Sequence, residues 1–221
     1  MNIGASATRA SRTDPSVELS LGKDIKTEPF YLSELLIHSG MVREGIHELY
    51  QNKMIAAWSD LLGDLFLCFV EMHFSGRREF HELKKRTARL DFSVKTDLTA
   101  QIKAGLISDY AFQRYNDRVK IINDILNPDC KHERELLVIK KHVLIRNSIQ
   151  HHASKVYREM LSDLGCSRLE VLDKNDDVRY LDLNERIILS IPELDLIKRV
   201  LFQVSNEWRK HCGEDPDGGN T

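Results

Sequence analysis

Arg146, Asn147 and His151 stand together in the stretch IRNSIQHHA at 145–153, inside a segment whose apolar residues recur at helical spacing. Histidine moves protons near neutral pH, arginine sets a fixed cation against phosphate, and an amide can hold a substrate or an imidazole in register. These are the parts of a metal-free ribonuclease. His151 would take the 2′-hydroxyl proton or protonate the 5′-oxygen leaving group, while Arg146 neutralises charge on the phosphate in flight. The expected products are a 2′,3′-cyclic phosphate and a 5′-hydroxyl.

The spacing predicts one helix from about 132 to Gly165, which supplies its C-cap. Counted at about 100° per residue from His142, the residues Lys140, Asn147, His151 and Arg158 fall on one ridge, with Val143 and Leu144 beside it. Val138, Ile145, Ile149, Ala153, Val156 and Met160 form the opposite, core-facing stripe. Lys140, Arg158 and His152 are the residues expected to hold the RNA backbone. Arg146 falls about 140° from His151, so only its long side chain, a helix distortion or a partner chain could unite the two. Val143 and Leu144 are not explained by solvent exposure, whereas a dimer interface would account for both. The plain alternative is that a face of Lys, Asn, His and Arg is a solvated surface.

The elements that must position this motif read as follows. Residues 1–28 are rich in Ser, Thr, Gly and charge and read as a flexible tail. A long amphipathic helix is expected over 41–73 through Ile46, Leu49, Tyr50, Met54, Ala57, Leu61, Leu65, Cys68 and Met72, with Leu62, Phe66, Phe69 and Val70 on its other side. A polar helix at 78–90, a helix over 92–108 stopped near Gly105, and a helix over 109–126 follow, before Asn127-Pro128-Asp129 breaks the pattern. After 165, two short β-like runs flank DKNDD, and Ile191-Pro192 opens a last helix through Leu194, Ile197, Leu201 and Val204. The fold class is all-α, a helical bundle with a small β-hairpin before the last helix. One domain over 29–212 and a disordered tail at 213–221 complete the expectation.

Composition limits the function classes. With 221 residues, 42% hydrophobic, the chain can bury one ordinary core. Lys plus Arg at 32 against Asp plus Glu at 34 excludes a general basic footprint, so any polyanion site must be local. Cys68, Cys130, Cys166 and Cys212 are scattered and no secretory segment opens the chain, which points to reduced thiols in a cytoplasm. The longest apolar run, LLGDLFLCFV at 61–70, covers about half a bilayer and carries Asp64, so no membrane span is expected. No Gly-rich phosphate loop or internal repeat is present. No cofactor is expected, nor a metal, because His142 lies about 180° from His151 and no carboxylate or thiol completes a ligand set. Tyr110, Phe112, Tyr115 and Phe74 read as core before they read as base-stacking platforms. Asp60, Asp64 and Glu71 are carboxylates on an apolar helix; Asp64 would find a partner inside the bundle or orient Arg146 or His151 from a facing helix.

The six residues RNSIQH resemble the R-x(4–6)-H signature of HEPN domains, including the polar residue, commonly Asn, that follows the arginine in their nucleases. The placement is also similar: late in an α-bundle, after a segment resembling KTDLTAQIKAGLIS, and before an irregular stretch and a final helix. The resemblance covers roughly 41–210, with 109–135 longer than in compact members. It implies a homodimeric, metal-independent endoribonuclease acting on RNA, of the kind that serves in toxin–antitoxin or antiviral defence systems beside an antitoxin or other partner protein. One toxin subtype carries a tyrosine two residues after the histidine; here that position is Ala153, and the nearest tyrosine is Tyr157. The second reading is a non-catalytic HEPN-like dimer that binds nucleic acid, a nucleotide or a protein. A third is a structural helical subunit that uses Val143 and Leu144 against another protein.

Overall fold

The computed structural model describes residues 16–17, 20–21, 25–26, 30–83, 97–126 and 132–212. Its contacts divide the chain into two units, 1–49 and 50–221. The boundary falls inside one helix, α1 (Leu32–Phe74), where the side chains change character: Met41, Val42, Ile46 and Leu49 are exposed, whereas Gln51, Ile55 and Trp58 are buried. In the first unit Ser16–Val17 (β1) pairs antiparallel with Phe30–Tyr31 (β4), and Ser20–Leu21 (β2) pairs with Ile25–Lys26 (β3). β1, β2 and β3 fall within the span read as a tail, and β4 follows it; the rest of 1–28, and all of 213–221, lie outside the described residues.

In the second unit α1 is followed by a 3-10 turn at His81–Leu83, then α2 (Leu98–Phe112), α3 (Tyr115–Leu126), α4 (Glu133–His151), α5 (Arg158–Leu164), the antiparallel hairpin β5 (Leu169–Leu172) and β6 (Val178–Leu181), and α6 (Ile191–Cys212). The mostly helical class and the small hairpin before the last helix are as expected. Among the described residues no helix is long and apolar enough to cross a membrane.

Two cores hold the unit together. The larger gathers Ile55, Trp58, Leu62, Phe66, Phe69 and Val70 of α1 with α3, Ile139 of α4, and Ile197, Val200, Val204 and Trp208 of α6. Trp58 stacks on Trp208 with ring centroids 5.1 Å apart, and Phe66 stacks on Tyr110 at 3.9 Å. The smaller core gathers Leu144 and Ile145 of α4 with Val156, Met160, the hairpin residues Leu169, Val171 and Leu181, and Leu194. Helices α4 and α6 therefore run through both cores.

Several expectations are corrected. The buried stripe of α1 is the one read as its other side, while Ile46, Leu49 and Tyr50 are exposed; a helix apolar over much of its circumference does not reveal by periodicity which stripe faces the core. Helix α2 starts at the Asp97 cap, whose side chain accepts from Ala100 N–H at 3.1 Å, and passes through Gly105 unbroken to Phe112. The roughly 1 kcal/mol that glycine costs in a helix is outweighed there by burial of Leu106 and Tyr110. Phe112 is 90% exposed rather than core. Of the polar helix at 78–90, residues 81–83 form a single 3-10 turn, and 84–90 lie outside the described residues.

The largest correction bears on the site. The helix expected over 132–165 is two helices, α4 and α5, joined by a turn in which Ala153 and Ser154 hold φ of 52° and 59°. Ser148 stops α4: its Oγ donates to Lys155 C=O at 2.6 Å, and its own C=O accepts from the N–H groups of His152 and Ser154. Two adjacent left-handed residues without glycine cost roughly 1–2 kcal/mol each, offset here by burial of Val156 and Met160 beyond the turn. Gly165, with φ 67°, does cap the second helix.

Candidate functional site

Helix α4 is regular from Glu133 to His151, so Arg146 and His151 remain about 140° apart on one chain, and distortion of the helix is not what unites them. Arg146 and Asn147 are partly buried on the penultimate turn, and His151 is exposed at the end. Among the described residues none of the three side chains takes part in a hydrogen bond or ion pair, so a cation, an amide and an imidazole are uncommitted within two turns of helix. The helix C-terminus, with its partial negative charge, lies beside His151.

The rest of the expected ridge does not assemble. Lys140 lies about 16 Å along the axis from His151, and its ammonium donates to Asp163 C=O at the end of α5. Arg158 is the first residue of α5, on the far side of the turn. His152 follows α4 directly and stacks on Tyr157, with centroids 4.0 Å apart and planes 14° from parallel. Val143 and Leu144 need no partner chain to explain them: Val143 packs on the larger core and Leu144 is buried in the smaller. Asp60 and Asp64 are exposed, so Asp64 neither sits inside the bundle nor orients the motif, and Glu71 pairs with Lys103 at 2.6 Å.

Replacing Lys140 by Ala is expected to cost about 0.5–1.5 kcal/mol through the lost tie to α5, seen as a melting point lower by a few degrees, with RNA affinity unchanged. A fall in affinity with no change in melting point would return Lys140 to the phosphate-binding role.

The chain has been compared with protein-family models, curated proteins and solved structures, and it matches none. Among the described residues no group of three His, Cys, Asp or Glu side chains is placed to hold a metal ion.

Sequence reasoning missed a buried polar cluster one turn before the motif. His142, fully buried, places Nε2 3.0 Å from Glu193 Oε1, and Lys141 Nζ lies 2.6 Å from the same oxygen. Gln51 donates to His142 C=O at 2.9 Å, and its Nε2 sits 3.5 Å from Nδ1, which assigns the single N–H proton of the imidazole to Nε2, facing the carboxylate. Burial pushes the His142 pKa down and keeps the ring neutral. Burial alone would raise Glu193, but His142 and the Lys141 cation outweigh it and hold the carboxyl down at about 2.

The same carboxylate reaches the hairpin. Glu193 Oε2 accepts from Leu172 N–H at 2.7 Å, Ser190 Oγ donates to Leu172 C=O at 2.6 Å, and Glu193 N–H donates back to Ser190 Oγ. The legible signal was Ser190-x-x-Glu193 before an apolar run, a capping box whose carboxylate here serves a neighbouring strand. The cluster lies where Ile139 of one core gives way to Leu144 of the other, and it fixes α4 against α6 and β5.

Proposed function

We propose that this protein is a metal-independent endoribonuclease of the HEPN type, in which Arg146, Asn147 and His151 act on the RNA phosphodiester. The observation that carries this reading is that among the described residues these three side chains have no structural duty, whereas Lys140, Lys141, His142 and Ser148 of the same helix are all engaged. His151 transfers the proton, Arg146 meets the charge that grows on the phosphate, and Asn147 orients the substrate. Because Arg146 and His151 diverge on one helix, the reading includes a symmetric dimer in which the two α4 ends face each other. The biological setting proposed is a toxin–antitoxin or antiviral defence system.

The test is incubation of the purified protein with total RNA in excess EDTA. Cleavage to 2′,3′-cyclic phosphate ends is expected to persist, since an Arg/His pair needs no Lewis acid. Activity abolished by EDTA and restored by a divalent cation would overturn the mechanism.

One observation favours a second reading, a non-catalytic dimer that binds RNA or a partner: no described side chain orients the His151 imidazole, whereas working general bases are commonly held by a second group.

A further inference from the structure

Beyond the three motif residues, the turn after α4 builds a surface of its own. From Arg146 to Arg158 the chain contains Arg146, His151, His152, Lys155 and Arg158 and no Asp or Glu. The left-handed pair Ala153 and Ser154 reverses the chain, so that the His152 ring lies flat on Tyr157. It also brings Lys155 against the segment before α6. Ile187 N–H donates to Ser154 C=O at 2.7 Å and Val156 N–H to Glu185 C=O at 2.9 Å, which makes Lys155 and Arg186 a non-hydrogen-bonded antiparallel pair. In that geometry side chains stand on one face with Cβ atoms roughly 5 Å apart. Both residues are exposed, while Ser154, Val156 and Ile187 beside them are buried.

We infer that His152, Tyr157, Lys155 and Arg186 form a platform for single-stranded nucleic acid, with a base stacked on the outer face of His152 and the adjoining phosphates on Lys155 and Arg186. A stacked ring pair beside paired cations suits a ligand that alternates flat bases and anions. A duplex, whose bases are already stacked on one another, offers only the anions. The direction of the strand follows from the acids. Glu159 and Asp163 lie on the α5 side, close enough to help hold the Tyr157 phenol above its ordinary pKa after burial. Glu185 is turned away, accepting from Asp182 N–H and lying 4.0 Å from Arg179. The phosphates therefore leave His152 on the Lys155 side, toward the end of α4. The inference deepens the ribonuclease reading and rests on it only for the strand being RNA.

The experiment is fluorescence anisotropy of the full chain with 2′-O-methyl single strands of about 12 residues, a length suited to such platforms, the matching duplex, and the deoxy single strand. The 2′-O-methyl strand lacks the attacking hydroxyl, so binding is read without cleavage. The single strand is expected to bind at least about 10-fold tighter than the duplex, and His152→Ala to weaken it about 5- to 100-fold, as loss of one stacked base does. Lys155→Gln should lower the slope of log affinity against log salt by about 0.7, and both variants should melt within a few degrees of wild type. Tighter binding of the 2′-O-methyl strand than of the deoxy strand supports RNA as the ligand; equal binding supports a platform for either. Equal affinity for single strand and duplex, or full affinity in His152→Ala, overturns the platform. If such variants still cleave ordinary RNA, the ribonuclease reading survives that failure; if binding behaves as expected and no RNA is cut, the ribonuclease reading fails and the platform stands.

Discussion

His151→Ala is expected to lower the cleavage rate by about 10²–10⁴-fold, the usual contribution of a positioned proton-transfer group. The side chain is exposed and uncommitted at the end of α4, so its removal should leave melting point and affinity for uncleavable RNA nearly intact. Arg146→Ala should follow His151→Ala, because its charge matters most as the phosphorane forms. Single-turnover cleavage beside equilibrium binding separates the two effects. If affinity falls in parallel with activity in both variants and no separate loss of rate is found, the end of α4 is a binding surface, and the non-catalytic reading becomes the better one.

The largest effect on stability is expected from Glu193→Ala. The change strips the partner from Lys141 and from buried His142, and leaves Leu172 N–H without its acceptor. Breaking a buried pair on one side costs about 3–5 kcal/mol, which for a unit of this size lowers the melting point by roughly 6–20 °C. A melting point within about 2 °C of wild type would show that the cluster does not hold α4 to α6.

Acid should act through the same groups. Glu193 is held at about 2 against an ordinary 4.5, so its contribution is complete above the ordinary value and is lost as pH falls toward the folded one. His142 is depressed below 6.5, so acidification below that value protonates the unfolded chain first and destabilises the fold further. Both contributions have the same sign: stability falls as pH falls, first below 6.5 and then between about 4.5 and 2. In Glu193→Gln the lower part of that dependence should flatten.

How far the sequence could be read depended on whether the signal was local. The hairpin was legible because β-branched and aromatic residues flank a turn rich in Asp and Asn, with Asp173 Oδ1 accepting from the Asn175 and Asp177 N–H groups. The last helix was legible from Ile191-Pro192 and the apolar spacing after it, and the end of α5 from Gly165. The end of α4 was not, because neither glycine nor proline marks it, and Val156 and Met160 continue the helical spacing by coincidence while reaching the core from beyond a turn. Arg158 and Lys140 were grouped on one ridge only through that coincidence. His142 was legible as a buried position on the core stripe, but its partner Glu193 lies far along the chain, and no local pattern announces such a pairing.

The two roles of Glu193 also decide how the molecule comes apart. A hairpin packed on the end of a helical bundle would ordinarily open by itself at small cost, its amides exchanging with solvent long before those of the helices. Here, lifting β5 away would take Leu172 from a carboxylate that is also the counter-charge of Lys141 and the neighbour of His142. The hairpin and the facing turns of α4 and α6 are thereby coupled into one cooperative opening unit, so that the amides of β5 are expected to exchange together with those of the helices rather than ahead of them.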